Sequence, residues 1–178
     1  MTCEGPVHLR RAVPDDAAGI AHVYVAGWHE AHAGLVPPEF LACMRAKARV
    51  EFWRDELQVE ARGRMLWVAL IDDRLVGFAS GGISRDDGAD PGTGEVYQVY
   101  VQPECWRRGI GSALLRHVIR DLHAHGFARA TLWVISANAP ARAFAEKHGW
   151  AADGASRAED CGGIEVEEVR FQHPLDQR

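Results

Sequence analysis

No run of about 18 apolar residues occurs in the chain, so no segment reads as a membrane-spanning helix. Met1-Thr2-Cys3-Glu4-Gly5-Pro6 lacks the basic start and apolar stretch of a signal peptide, and a soluble, cytoplasmic protein without a membrane partner is expected. Cys3, Cys43, Cys105 and Cys161 include no Cys-x-x-Cys pair, so reduced thiols are the expected state and no metal site is read. The formal charge of -5 comes with no basic stripe, which argues against a nucleic-acid partner and requires any anionic ligand to be held locally. Internal repeats and low-complexity segments are also missing.

What is present is 178 residues, 47% of them hydrophobic and 25% charged, which suits a single domain over 1–178 with a real core. Residues 7–12 alternate as a strand does, and Pro14-Asp15-Asp16 starts a helix that should run to about Trp28. A Gly- and Pro-bearing loop follows to Pro38, then a second helix from Glu39 to about Val59. Residues 65–71 and 75–80 read as an antiparallel hairpin turned by Asp72-Asp73. Residues 81–94, rich in Gly and Asp, read as an exposed loop with a mobile tip before a strand over 95–101. Further on, helices over 109–126 and 139–148 flank a strand over 130–135, and an alternating strand over 164–171 follows.

The most informative segment is Trp106-Arg107-Arg108-Gly109-Ile110-Gly111-Ser112-Ala113, which joins the strand ending at Val101 to a helix. First-turn N–H groups lack intrahelical partners, the helix dipole favours an anion there, and glycines admit a phosphate close to the backbone. Arg107 and Arg108 add charge-assisted donors. A dinucleotide fold of the Rossmann kind needs a third glycine where this chain has Leu114.

With the later Asn138, Ala143, Phe144, Glu146, Lys147, His148, Gly149 and Trp150, the chain resembles the GNAT superfamily of N-acetyltransferases. That superfamily carries a Gln/Arg-x-x-Gly-x-Gly/Ala loop and an Asn…Phe-Tyr-Glu-Lys-x-Gly-Phe segment. The resemblance covers nearly the whole chain, from Leu9-Arg10-Arg11-Ala12 through Asp153-Gly154 and Gly162-Gly163 to Phe171. It implies an α/β (α+β) fold with a mixed sheet of about seven strands and about four helices, splayed between the fourth and fifth strands. It also implies acetyl-CoA as acetyl donor. The pantetheine arm would pair with the backbone of Val99 and Val101, and the pyrophosphate would lie on residues 107–112. Tyr100, Trp106, Ala113, Asn138 and Phe144 complete the implied cofactor set. Family members often form dimers, so a homodimer is an expectation of the same kind.

Acetyl transfer requires the acceptor amine to lose a proton, since an alkyl ammonium has a pKa of about 10. Glu95 occupies the position of the base in histone-type family members, and regular alternation would put it on one face with Tyr97, Val99 and Val101. By the same resemblance the Val99 N–H would meet the oxyanion. Trp28, His29, His32 and Tyr97 are the implied acceptor contacts; a small-molecule or peptide amine is the expected substrate. The residues on their own also allow Glu95 as a solvated strand-start acid and the two histidines as a solvated helix end.

Two departures qualify the resemblance. Trp106 stands where the family has Gln or Arg, and Ala145 stands where it has the tyrosine that protonates the departing thiolate. Ser136 or Tyr100 are the substitutes within the sequence, water being the other. The readings are therefore an N-acetyltransferase, a CoA-binding sensor or regulatory module without turnover, and a nucleotide-binding domain.

Overall fold

The structure, a computed structural model, describes residues 3–58, 65–161 and 164–175. Among them are seven strands: β1 (His8–Arg11), β2 (Met65–Ile71), β3 (Arg74–Ile83), β4 (Thr93–Val101), β5 (Arg129–Ile135), β6 (Ala151–Asp160) and β7 (Glu165–Pro174). Five α-helices accompany them: α1 (Ala17–Ala31), α2 (Pro38–Cys43), α3 (Ala46–Gln58), α4 (Ile110–Ala124) and α5 (Ala139–Lys147). The strands form one sheet in the order β1-β2-β3-β4-β5-β7-β6. Every neighbouring pair is antiparallel except β4–β5, which is parallel.

Helices cover both faces because each carries an apolar stripe at helical spacing. Ile110, Leu114, Leu115, Val118 and Leu122 of α4 are buried against Met65, Val76, Ala79 and Val96. On the opposite face Ile20, Ala21 and Val23 of α1 and Trp53 of α3 bury Leu66, Val68 and Phe78. Close approach of α4 requires Gly81, where an added Cβ would stand 2.7 Å from both Val118 Cγ1 and the Glu95 carbonyl oxygen.

The single helix expected from Glu39 is two helices, broken where Met44 is extended (φ -75°, ψ 111°). The two stripes serve different clusters: Leu41 and Met44 pack with Val36, Ile135 and Val166, whereas Val50, Trp53 and Leu57 pack on Phe78. One straight helix cannot reach both. Its expected end at Val59, and the pair Gly162-Gly163, lie outside the described residues.

β6 was not among the strands expected from alternation. It is mostly exposed, and its ladder with β7 shifts register between Ala152 and Ser156, where Gly154 adopts φ 87°. Backbone pairing rather than an apolar face defines it, and such pairing leaves no period-2 pattern. The expected loop over 81–94 is shorter than its composition suggests, because β3 runs to Ile83 and β4 begins at Thr93.

Cys3 and Cys105 are joined in a disulfide with Cα atoms 5.4 Å apart, which corrects the expectation of four reduced thiols. The two lie 102 residues apart in sequence, so no spacing motif could announce the pair.

Candidate active site

The parallel ladder between β4 and β5 has three rungs, Thr93 with Arg129, Gly94 with Ala130 and Glu95 with Thr131. Beyond Glu95 the strands part, although β4 continues to Val101 and β5 to Ile135. On the other edge of β4, the Gln102 N–H donates to the Val76 carbonyl at 2.8 Å. Strand backbone groups alternate in direction, so those of Val101 and Val99 point away from β3 and into the gap. One of them is engaged: the Trp106 indole N–H donates to the Val101 carbonyl at 2.7 Å, while the residue is 43% exposed.

Past this point the chain makes a short turn at Pro103–Cys105 and enters α4 through Arg107 (φ 60°) and Gly109 (φ 78°). The first helical bond runs from the Ala113 N–H to the Gly109 carbonyl at 3.0 Å. The N–H groups of Ile110, Gly111 and Ser112 therefore have no carbonyl four residues back, and no side chain caps them. With the dipole and the exposed Arg107 and Arg108, this end of α4 suits an anion. Arg108 also donates to the Gly5 carbonyl at 3.2 Å.

α5 braces the start of α4. His148 lies 2.8 Å from Ser112 Oγ through Nε2 and 2.8 Å from the Phe144 carbonyl through Nδ1, with its ring centroid 4.4 Å from that of Phe144. Asn138 caps α5, its Oδ1 accepting from the Ala141 N–H at 3.1 Å, and its Nδ2 donates to the Ala31 carbonyl at the end of α1 at 3.4 Å. Both polar ends of Asn138 thus have internal partners.

Glu95 is buried, 5% exposed, and its Oε2 accepts from the Arg85 N–H at 2.7 Å. Burial pushes its carboxyl above the usual carboxylate range; the Arg85 N–H opposes that shift and the Asp86 charge reinforces it. The face expected for Glu95 needs correction. Ser80 pairs with Gln98 and Gly81 with Val96, so Tyr97 is an extra residue, a β-bulge that breaks alternation. Val96, Val99 and Val101 accordingly pack together towards α4, while Tyr100 packs towards α1. Glu95, opposite in direction to Val96, shares the α1 side with Gln98 and Tyr100. Tyr97 donates from its hydroxyl to the Ile83 carbonyl at 2.6 Å, under the Arg85 guanidinium, 3.6 Å from the ring centroid.

On that side an aromatic wall closes the gap. Tyr24 meets Tyr100 edge-on at 5.5 Å between centroids, and Trp28 lies tilted against His32 at 4.1 Å. His32 is buried rather than solvated, which pushes its pKa down so that the ring is neutral at pH 7. His29, one position round α1, is exposed and stands apart from the wall. Burial also holds the Tyr100 hydroxyl well above its ordinary range.

A cluster that sequence reasoning missed lies beside Glu95. Asp86, in the β3–β4 connection, accepts from Trp133 Nε1 and from Arg170 Nη1, each at 2.8 Å. Arg157 places its guanidinium 4.3 Å from the Trp133 ring centroid and pairs with Glu168 at 2.7 Å, and Arg170 pairs with Asp153 at 2.8 Å. These residues come from four separate segments, so only a pairing of β5, β6 and β7 known in advance would have grouped them. The connection is thus anchored at Asp86, while Asp87, Gly88 and Asp90 at its tip are exposed as the composition suggests.

Among the described residues no group of three or more His, Cys, Asp or Glu side chains is arranged for a metal ion, and no helix is long and apolar enough to cross a membrane. The family model for the acetyltransferase (GNAT) family matches residues 18–150. The uncharacterized N-acetyltransferase YuaI of Bacillus subtilis is 33% identical over 135 residues, 74% of this chain and 73% of that protein. The PaiA N-acetyltransferase of Thermoplasma acidophilum, solved in complex with coenzyme A, superposes with a TM-score of 0.73 at 22% identity, covering 92% of this chain and 98% of that one. An N-acetyltransferase from Staphylococcus aureus Mu50 gives a TM-score of 0.75 at 17% identity, covering 97% and 100%. At these identities the two structures report on the fold.

Proposed function

The chain belongs to the acetyltransferase (GNAT) family, and from that premise we propose that it transfers an acetyl group from acetyl-CoA to a primary amine by direct attack within a ternary complex. The observation that carries this reading is the parting of β4 from β5 directly after Glu95, beside an uncapped α4 start. The cofactor arm would pair with the gap-facing backbone of Val99 and Val101. The pyrophosphate would take the N–H groups from Arg107 to Ser112 and the charges of Arg107 and Arg108. Phe144 and Ala113 flank that seat.

Glu95 would accept the amine's proton, through a water molecule, as the amine attacks the acetyl carbonyl; the Val99 N–H would receive the oxyanion. The raised carboxyl suits this task, because a base poised nearer neutral pH takes the proton with more driving force. The thiolate then leaves. Tyr100 is a poor acid for it, since a thiol has a pKa of about 8.5 and the Tyr100 hydroxyl lies well above the ordinary tyrosine value of 10.0. Proton transfer from Tyr100 would be uphill, so water would protonate the thiolate. The acceptor would lie against the continuous aromatic wall of Tyr100, Tyr24, Trp28 and His32.

Free thiol release from acetyl-CoA with a panel of alkyl amines, amino acids and an N-terminal alanyl peptide tests the reading. Wild type should release thiol only with an amine, and Glu95→Gln should lower kcat/KM about 10²–10⁴-fold with coenzyme A affinity unchanged. The sensor reading draws on Ala145, fully buried at the position of the family's tyrosine. It wins if coenzyme A binds in calorimetry and no amine in the panel ever yields thiol.

A further inference from the structure

Asp86 takes no part in the proposed acetyl transfer, yet it ties together residues of three strands beside Glu95. Its neighbour Arg85 supplies the N–H that holds Glu95 Oε2 at 2.7 Å. Its own two oxygens are tied to β5 through Trp133 and to β7 through Arg170, both at 2.8 Å, and Arg157 of β6 comes within 3.8 Å. Trp133 lies two residues beyond Thr131, the last β5 partner of β4. Asp86 therefore fastens the β3–β4 connection across the point where the two strands part. Its side chain is 13% exposed, so the charge is only partly screened by water.

We propose that Asp86 is a positioning residue for Glu95: it holds the connection so that the Arg85 N–H meets the carboxylate, and it sets a negative charge beside it. The proposal rests on Glu95 being the base. The charges that act on Glu95 are Arg85 and Asp86 from the connection and Arg157 from β6. Arg170 and Glu168 of β7 engage Asp86 and Arg157 respectively. Arg85 and Arg157 favour the carboxylate form and Asp86 opposes it, so losing the Asp86 charge makes Glu95 ionise at lower pH.

The test needs no acceptor. Carboxyl ¹³C resonances of glutamate-labelled protein are titrated with pH, the Glu95 signal being the one lost in Glu95→Gln, and the Arg85 amide is followed by hydrogen exchange. Asp86→Asn keeps an oxygen for the Trp133 N–H and removes the charge. Its Glu95 midpoint should fall by about half to one pH unit, with the Arg85 amide still protected. Asp86→Ala removes the anchor, and the Arg85 amide should exchange at least about tenfold faster. A midpoint in Asp86→Asn that stays or rises overturns the proposal. So does an Arg85 amide as protected in Asp86→Ala as in wild type, or as exposed in Asp86→Asn as in Asp86→Ala. Failure of the acetyl-transfer reading shows separately, as an absence of amine-dependent thiol release.

Discussion

At the scale of single residues, Glu95 sits in an environment that costs stability. Its folded-state pKa is raised above the ordinary value of 4.5 by burial. Above the folded pKa both folded and unfolded states carry the charge and the folded one bears its desolvation; below the unfolded value both are protonated and that cost is gone. Stability from this group therefore rises as pH falls through the folded pKa. Glu95→Gln should melt higher than wild type near pH 7, and the difference should close as the buffer is taken down to about pH 4. Thermal melts across that range check it. Coincident curves at all pH values would mean that the carboxylate is well solvated. The position of Glu95 relative to the glycine loop was legible in the sequence, since chain separation along one strand fixes it. Its face was not: the extra residue at Tyr97 is specified by the pairing of β3 with β4, and nothing in Val96-Tyr97-Gln98 announces a bulge.

At the scale of elements, the clearest junction is Asn138, which caps α5 and reaches the end of α1. Asn138→Ala should lower stability by about 1 kcal/mol or somewhat more, the usual worth of an N-cap. Urea unfolding measures that, and coenzyme A titration separates the two roles of the residue. Unchanged affinity marks Asn138 as a cap and tie, whereas a large loss of affinity restores it as a direct cofactor contact. Strongly periodic elements could be read in advance, α4 above all, because Ile110, Leu114, Leu115, Val118 and Leu122 are both spaced and buried as one face. α2 and α3 could not be separated, because their joint run of apolar residues continues across Met44 and only the two different clusters they serve require a break. β6 left no pattern at all, being an edge strand with little to bury.

At the scale of the whole molecule, the Cys3–Cys105 link closes a ring spanning a sequence separation of 102 and ties the segment before β1 to the turn before α4. Cross-linking a loop of that size restricts the unfolded chain far more than the folded one, typically by about 2–4 kcal/mol. Cys3→Ser, or wild type with excess dithiothreitol, should therefore melt measurably lower than the oxidised protein. Equal melting points in calorimetry would show that the pair is not bonded in solution. The overall architecture was readable because the glycine loop and the later Asn138-to-Trp150 segment are far apart in sequence yet specific in combination; the tether was not, since two isolated cysteines carry no such register. One further feature follows from the chain as a whole. Of its tryptophans, Trp53 and Trp150 are buried, Trp28, Trp67 and Trp133 are partly covered, and Trp106 alone is exposed. Its indole N–H occupies the Val101 carbonyl at the proposed seat of the pantetheine arm. A ligand that competes for that carbonyl would shift the indole's surroundings, so Trp106 emission should report occupancy of the seat on titration with coenzyme A.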